Sequence, residues 1–193
     1  MRKNEIFSKQ AGAMFVTEAT YLPVKFDDTR INRFVTEMQK AWVNGGAWIR
    51  CIESTTWLED RFPGIQKNII EFFDAPSVRA CFPELKIPEN PAFPVDSIIM
   101  RRHQFEGLLT DILFDGGAYR KFEGSYKEGR QIVRDFVDAL AGILWESPVN
   151  IGSVFFIPGY WTPAFYGVAW DATFVLRSKD GRRWMVIWMT DTD

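Results

Sequence analysis

Histidine and cysteine, which often carry nucleophilic and metal chemistry, are almost missing from this chain of 193 residues. His103 is the single histidine, so any Ser–His–Asp or Cys–His catalysis would have to use it. Its neighbours Arg101 and Arg102 on an expected helix disfavour a protonated ring. Glu106 follows three residues later, and a histidine and a carboxylate at that spacing supply only half of a metal site. We therefore expect no metal and no cofactor.

Only two cysteines are present, Cys51 and Cys81. Cys51 lies between an expected strand and a helix that begins near Thr56, and a thiol at a helix N-terminus can be an activated nucleophile. No base is near it in sequence, so a buried structural thiol is the alternative. The first residues contain no apolar signal-peptide core, which favours a cytoplasmic protein with two reduced thiols.

Long apolar runs, a surplus of basic charge and phosphate-binding glycine motifs are missing too. The longest apolar run, residues 184–189, is far too short to span a membrane. The net charge is −2 and the basic pairs are scattered among acids, which does not favour nucleic-acid binding. The glycine pairs at residues 45–46 and 116–117 do not fit the known phosphate loops.

Aromatic residues, in contrast, are abundant: the chain has 17 Phe, 8 Trp and 5 Tyr. Residues 158–167 form a turn-rich loop braced by prolines. Rigid aromatic side chains on such a loop are typical of binding hot spots, although they can also fold back and plug the end of a sheet. The candidate binding residues on this loop are Tyr160, Trp161, Phe165 and Tyr166.

One acidic residue is a candidate for general acid–base chemistry. Asp171 stands among aromatic residues, where burial would raise its pKa. In an enzyme with an aromatic-lined cleft, Asp171 would act as acid or base and Arg101 or Arg102 would hold an anionic group. A turn or strand-end role for Asp171 is the structural alternative.

Helical periodicity is clear in several segments. Ile31, Phe34 and Met38 share one face of a helix that Asp27–Thr29 can cap and that Gly45–Gly46 would end. Further helices are expected around 56–73, with a break at Pro63, in a brief turn after Pro76, and at 96–114 and 125–145. The strand-like runs are 13–26 and 47–52. Four prolines make 83–94 an internal connection or an arm laid over the surface.

The last residues predict a β-hairpin. Residues 172–177 and 183–190 are β-branched and aromatic, and Asp180-Gly181 lies in the loop between them. Alternate residues of a strand point to opposite faces of the sheet, and in 184–189 both sets are apolar. Both faces of that strand should therefore be covered. Helices would cover one face. The other face would be covered by more of the chain or by a partner, and a homodimer is one such alternative.

These patterns predict a single α+β domain over residues 1–193, with three to four helices packed on an antiparallel sheet that includes the C-terminal hairpin. The favoured function is a non-catalytic cytoplasmic binding protein of the inhibitor, immunity or adaptor type, which uses the aromatic loop and the sheet surface. Its partner would be a protein or a small apolar or aromatic ligand, not a membrane or a nucleic acid. The alternative is a small hydrolase or transferase.

Overall fold

An antiparallel sheet of six strands organises the part of the chain that the computed structural model describes: residues 20–42, 44–55, 65–94, 96–117, 120–145, 154–165, 167 and 171–191, without the side chains of 65–68. The elements in chain order are β1 (Tyr21–Val24), α1 (Thr29–Ala41), β2 (Gly46–Ser54), α2 (Ile65–Asp74), α3 (Pro76–Cys81), β3 (Ile98–Met100), α4 (Arg102–Asp115), α5 (Tyr126–Trp145), β4 (Val154–Pro158), β5 (Ala172–Arg177) and β6 (Arg183–Thr190). The strands lie in the order β1-β2-β6-β5-β4-β3. The α+β class is thus confirmed.

The C-terminal hairpin forms as predicted, from β5 and β6. The ladder closes where Arg177 lies opposite Trp184. In the connecting turn the Ser178 hydroxyl accepts the backbone N–H of Arg183 at 2.9 Å. Gly181 adopts a φ of 74°, a left-handed conformation that favours glycine. The Asp-Gly signal therefore marked the turn correctly.

Strand β6 is buried on both faces, as its sequence predicts. No residue from Trp184 to Met189 is more than 4% exposed. Met185, Ile187 and Met189 face a first core under α1, α4 and α5. Trp184, Val186 and Trp188 face a second core under α2, α3 and the segment that follows them. Because this chain covers both faces, β6 needs no second subunit to shield it.

Helix α1 follows from its cap and its stripe. The Asp28 side chain accepts the N–H of Arg30 at 2.9 Å and so caps the first turn. Phe34 lies fully buried on the inner face and stacks on Phe136 of α5 at 4.1 Å between ring centroids. The helix ends at Ala41, which is earlier than the expected glycine stop. Gly45 instead lies so close to β6 that a Cβ there would be 1.8 Å from a backbone oxygen.

The proline-rich segment is an arm that covers the second core. It begins with a single 3₁₀ turn (Pro83–Leu85) and then has no regular structure to residue 94. Leu85 is fully buried, and the Phe93 ring lies 5.3 Å from that of Trp161. Prolines cannot donate to a ladder, so the arm packs through its side chains. This is the second of the two arrangements that the sequence allowed.

The helix expected over 96–114 is wrong at its N-terminal end. Ile98–Met100 forms β3, and α4 begins only at Arg102. Ile98 is 48% exposed rather than inward. The β-branched pair Ile98-Ile99 joins β4 in the sheet, and that pairing overrides the helical periodicity.

Some other predictions fall partly or wholly outside the described ranges. Of the strand expected over 13–26, only Tyr21–Val24 is seen, and residues before 20 are not described. The capping box at Thr56 and the break at Pro63 also lie outside. The turn after Pro76 is a full helix, α3, so the described part has five helices. None of these five is long and apolar enough to cross a bilayer.

Candidate functional site

The aromatic loop mostly folds back into the protein. Trp161 and Phe165 are only 5% and 3% exposed and belong to the second core. Tyr160 is 58% exposed. Tyr166, the fourth candidate, lies outside the described residues. The expected exposure of Trp161 and Phe165 is therefore corrected, and these two rings plug the sheet end.

Polar contacts fix this plug. The indole N–H of Trp161 donates to the Thr173 hydroxyl on β5 at 2.9 Å. The Thr162 hydroxyl donates to the carbonyl of Leu85 in the arm. A buried indole needs an acceptor, and Thr173 supplies one, so Trp161 is held as a structural residue. Tyr160 is left to project beside it.

A second aromatic group lies around β2 and β6, and one of its members, Trp48, reaches the surface. Trp48 is 38% exposed and stacks on the buried Trp188, with 6.0 Å between ring centroids and 14° between ring planes. Phe82 meets Trp188 edge-on at 6.0 Å. We call the group of Trp48, Arg50, Phe82, Glu84 and Trp188 the aromatic shelf.

Arg50 is held in place on the shelf. Its guanidinium donates to both carboxylate oxygens of Glu84, at 2.8 and 3.0 Å, and also to the carbonyl of Cys81. The guanidinium carbon lies 5.9 Å from the Trp188 ring and 6.0 Å from the Phe82 ring. The hydrogen bonds from Arg50 lower the pKa of Glu84. A planar cation is thus fixed beside the buried rings of Trp188 and Phe82, on the same face of β2 as the partly exposed Trp48.

One row of residues connects the shelf with the aromatic loop. Trp48 pairs with Trp188, Trp188 with Thr173, and Thr173 with Ile157 across four neighbouring strands. Thr173 is also the acceptor of Trp161, the neighbour of Tyr160. Three strand spacings separate the ends of the row, about 14 Å. Trp48 and Tyr160 are therefore exposed at the same end of the sheet.

Asp171 serves the loop rather than a cleft. It is 3% exposed, and its carboxylate accepts the N–H of Gly167 at 2.7 Å and the hydroxyl of Thr190 at 2.6 Å. Its carbonyl accepts the N–H of Gly159 at 2.8 Å. Asp171 therefore ties both ends of the aromatic loop to β6, which is the structural alternative noted from the sequence.

The arginines proposed to assist Asp171 lie at the other end of the sheet. Asp171 precedes β5, whereas Arg101 follows the row in which Met100, Val154 and Leu176 lie side by side. About five strand residues, or roughly 17 Å, separate these two levels. The enzyme hypothesis needs both groups in one cleft, and this geometry does not bring them together.

Arg102 and His103 instead line a groove of about 1020 Å³ between α4 and α5. The guanidinium of Arg102 donates to Glu106 at 2.6 Å and to Asp138 of α5. The Thr110 hydroxyl donates to the Glu106 carbonyl at 2.7 Å. These bonds brace the two helices, and within the described lining we find no nucleophile bonded to a base.

Both thiols are buried and lack activation. Cys51 is 0% exposed, and burial raises its pKa to about 11, against an ordinary 9.0, although Arg183 acts in the opposite direction. Burial also raises the pKa of Cys81. Cys51 lies within β2, not at a helix N-terminus, which removes the basis for a nucleophilic role.

The alkaline stability of the protein should report this burial. Because the folded state keeps Cys51 protonated up to about pH 11, and Tyr21 up to about pH 12, unfolding releases protons above their ordinary values of 9.0 and 10.0. The contribution of these two groups to the free energy of unfolding should therefore be constant below about pH 9 and decrease between about pH 9 and 12. Urea titrations at a series of pH values would measure it.

The matched control is Cys51→Ala, which should make the decrease between about pH 9 and 11 shallower and leave the parts due to Cys81 and Tyr21. In the wild type, alkylation of both thiols at neutral pH should require unfolding. Rapid alkylation of native Cys51 at pH 7 would contradict the assignment.

Comparison with models of protein families, with curated proteins and with solved structures gave no match. The functional assignment therefore depends on the geometry of this chain. Within the described residues, no three histidine, cysteine or acidic side chains cluster as a metal site would require. The aromatic shelf with Tyr160 and the groove between α4 and α5 are therefore compared as candidate sites.

The shelf is not evident in the amino-acid sequence. Trp48 and Arg50 were included in a strand, but their partner Trp188 is 140 residues from Trp48 along the chain. A local signal did exist, because Trp48 and Arg50 are two residues apart and so share one face of β2. A tryptophan and an arginine on one strand face are the residue types that binding hot spots favour.

Proposed function

We propose that this protein is a non-catalytic cytoplasmic binding protein, of the inhibitor, immunity or adaptor type, that holds a protein partner on the aromatic shelf and Tyr160. The observation that carries the proposal is the stack of Trp48 on Trp188 beside a fixed Arg50. Free, buried Cys51 and Cys81 agree with a reducing compartment.

The composition of the surface supports binding. Trp, Tyr and Arg are the residues most enriched in interface hot spots, and here one of each stands at the same end of the sheet. The exposed part of Trp48 offers apolar area, and Arg50 and Glu84 offer polar groups at its side. A protein interface needs this combination of an apolar anchor and a polar rim.

The rigidity of the shelf supports it further. The backing ring of Trp188 is 4% exposed, so Trp48 rests on a side chain that cannot move freely. Arg50 is fixed by the bidentate pair with Glu84. Binding loses less conformational entropy when the contact residues are already ordered.

Two substitutions test the proposal. Trp48→Ala and Tyr160→Ala should each weaken the complex by about 2 kcal/mol, or roughly 30-fold in the dissociation constant, because each removes an exposed anchor. The partner would be captured from a lysate of the source cells on immobilised wild-type protein and identified by mass spectrometry. Titration calorimetry with the purified partner would then give the affinities.

Tyr126→Ala is the matched control, since Tyr126 is 59% exposed but lies on α5, over the other face of the sheet. It should leave the affinity within a factor of two, as a non-interface truncation does. Full affinity in both the Trp48 and the Tyr160 variants would remove the shelf from the interface and refute the proposal.

A further inference from the structure

The two edges of the sheet are built differently. β1 and β3 are the edge strands, each paired on one side only among the described strands. β1 contains Pro23, which lacks an N–H, and is followed by Lys25. A proline and a lysine are devices that stop an edge from pairing with another chain. The β1 edge is therefore protected.

Strand β3 has no proline, although a charged residue, Arg101, follows it as Lys25 follows β1. Its residues are Ile98, Ile99 and Met100, and the two isoleucines are each 48% exposed. They point to opposite faces of the sheet, so apolar surface is exposed on both sides of this edge. An apolar edge whose residues can all donate offers backbone hydrogen bonds and apolar area to another strand.

The charged residues that flank β3 indicate which strand could pair with this edge. Asp96 lies just before β3 and Arg101 just after it, and both side chains are exposed. An antiparallel copy of the same segment brings the acidic end of one beside the basic end of the other, twice. A parallel copy would oppose like charges. The segment is thus complementary to itself in the antiparallel direction.

We propose that β3 is a self-association edge, at which two copies of this chain pair β3 with β3 antiparallel about a two-fold axis and extend the sheet across both subunits. The two-fold axis is perpendicular to the sheet. Only a rotation about such an axis makes the two β3 strands antiparallel and leaves the same face of both sheets on the same side. Side chains that lie directly opposite each other across the pair must be on the same face of the sheet. This requires the axis to pass through a residue and not between two residues, so it passes through Ile98 or Ile99. In either register Asp96 and the partner's Arg101 are offset by one residue.

The contact offered by this edge is small, because β3 is only three residues long and contributes the exposed parts of Ile98 and Ile99. We therefore expect a reversible dimer with a dissociation constant on the order of micromolar.

Sedimentation velocity of the full chain, from low micromolar to submillimolar concentration, tests the proposal. The wild type should shift from monomer to dimer. Ile99→Lys should raise the dissociation constant at least about tenfold, because it places like charges near the axis. Ile70→Lys is the control: Ile70 is 42% exposed on α2, away from this edge, and should leave dimerisation unchanged.

The charged ends give a sharper test. Arg101→Asp and Asp96→Arg should each weaken the dimer by roughly twofold to tenfold, and the double variant should recover the wild-type constant. Recovery is specific to antiparallel self-pairing, because each copy then presents the exchanged charges to the other. A wild type that stays monomeric at every concentration would overturn the proposal.

Disulfide trapping locates the axis. One of the variants Ile98→Cys and Ile99→Cys places the new thiol on the two-fold, so it should form a covalent dimer under mild oxidation. The native thiols are buried and should not interfere. Ile70→Cys should stay monomeric on a denaturing gel. A wild-type dimer that neither β3 variant traps would show that another face associates, and would overturn the proposal. The shelf variants do not touch this edge, so the two proposals can fail separately.

Discussion

Replacing Trp184 by alanine should lower the free energy of unfolding by about 3–5 kcal/mol. Trp184 is 3% exposed in β6 and stacks on Phe72 of α2, with 4.2 Å between ring centroids. The Arg177 guanidinium lies 5.3 Å from its ring. Truncation leaves a cavity between the sheet and α2, and the surrounding β6 backbone cannot collapse into it. Denaturant titration followed by circular dichroism would measure the loss.

The companion substitution Ile187→Ala examines the opposite face of the same strand. Ile187 is 0% exposed under α1, α4 and α5, and its loss should cost about 2–5 kcal/mol. Ile70→Ala, at an exposed site on α2, should change stability by no more than about 0.5 kcal/mol. A large effect for one β6 residue with a negligible effect for the other would mean that one face of the strand is not a core.

That two-sided burial could be inferred from sequence because its causes are local. The residues that point to either face of the strand in 184–189 are apolar, which excludes a strand with one face exposed to solvent. The same holds for α5, where Phe136 and its stripe neighbours recur at helical spacing and are buried as expected. Turn chemistry at Asp180-Gly181 fixed the hairpin. Each of these signals is contained in a short stretch of chain.

The features that sequence did not predict depend on contacts between distant segments. Ile98-Ile99 joins a sheet because Phe155 and Phe156 of β4 lie opposite, over fifty residues later. Trp48 became a candidate for binding only when β6 placed Trp188 behind it. Trp161 was expected at the surface, yet Thr173 and the arm bury it. Contacts between residues so far apart in the chain cannot be predicted from local sequence patterns.

Asp171→Ala should cost about 2–4 kcal/mol in the free energy of unfolding. The Thr190 hydroxyl is buried and would lose its acceptor, which costs about 1–3 kcal/mol. Gly167 is exposed, so its N–H can turn to water and the lost bond costs only its net value, about 0.5–1.5 kcal/mol. It also releases the aromatic loop from β6, so Trp161 should become more accessible. Denaturant titration gives the first quantity, and tryptophan fluorescence quenching by acrylamide gives the second.

Asp171→Asn separates this structural role from a catalytic one. The amide oxygen can still accept the Gly167 N–H, and the amide nitrogen can donate to the Thr190 oxygen, so the loss should be only about 1 kcal/mol. Thr190→Val, which removes the other side of the bond, should cost about 1.5–3 kcal/mol because it deprives a buried carboxylate of a donor. A catalytic acid or base would instead lose its activity in Asp171→Asn although the fold stayed stable, since asparagine cannot transfer the proton. If Asp171→Ala were as stable as the wild type, the carboxylate would not be what holds the loop, and a chemical role for it would have to be reopened.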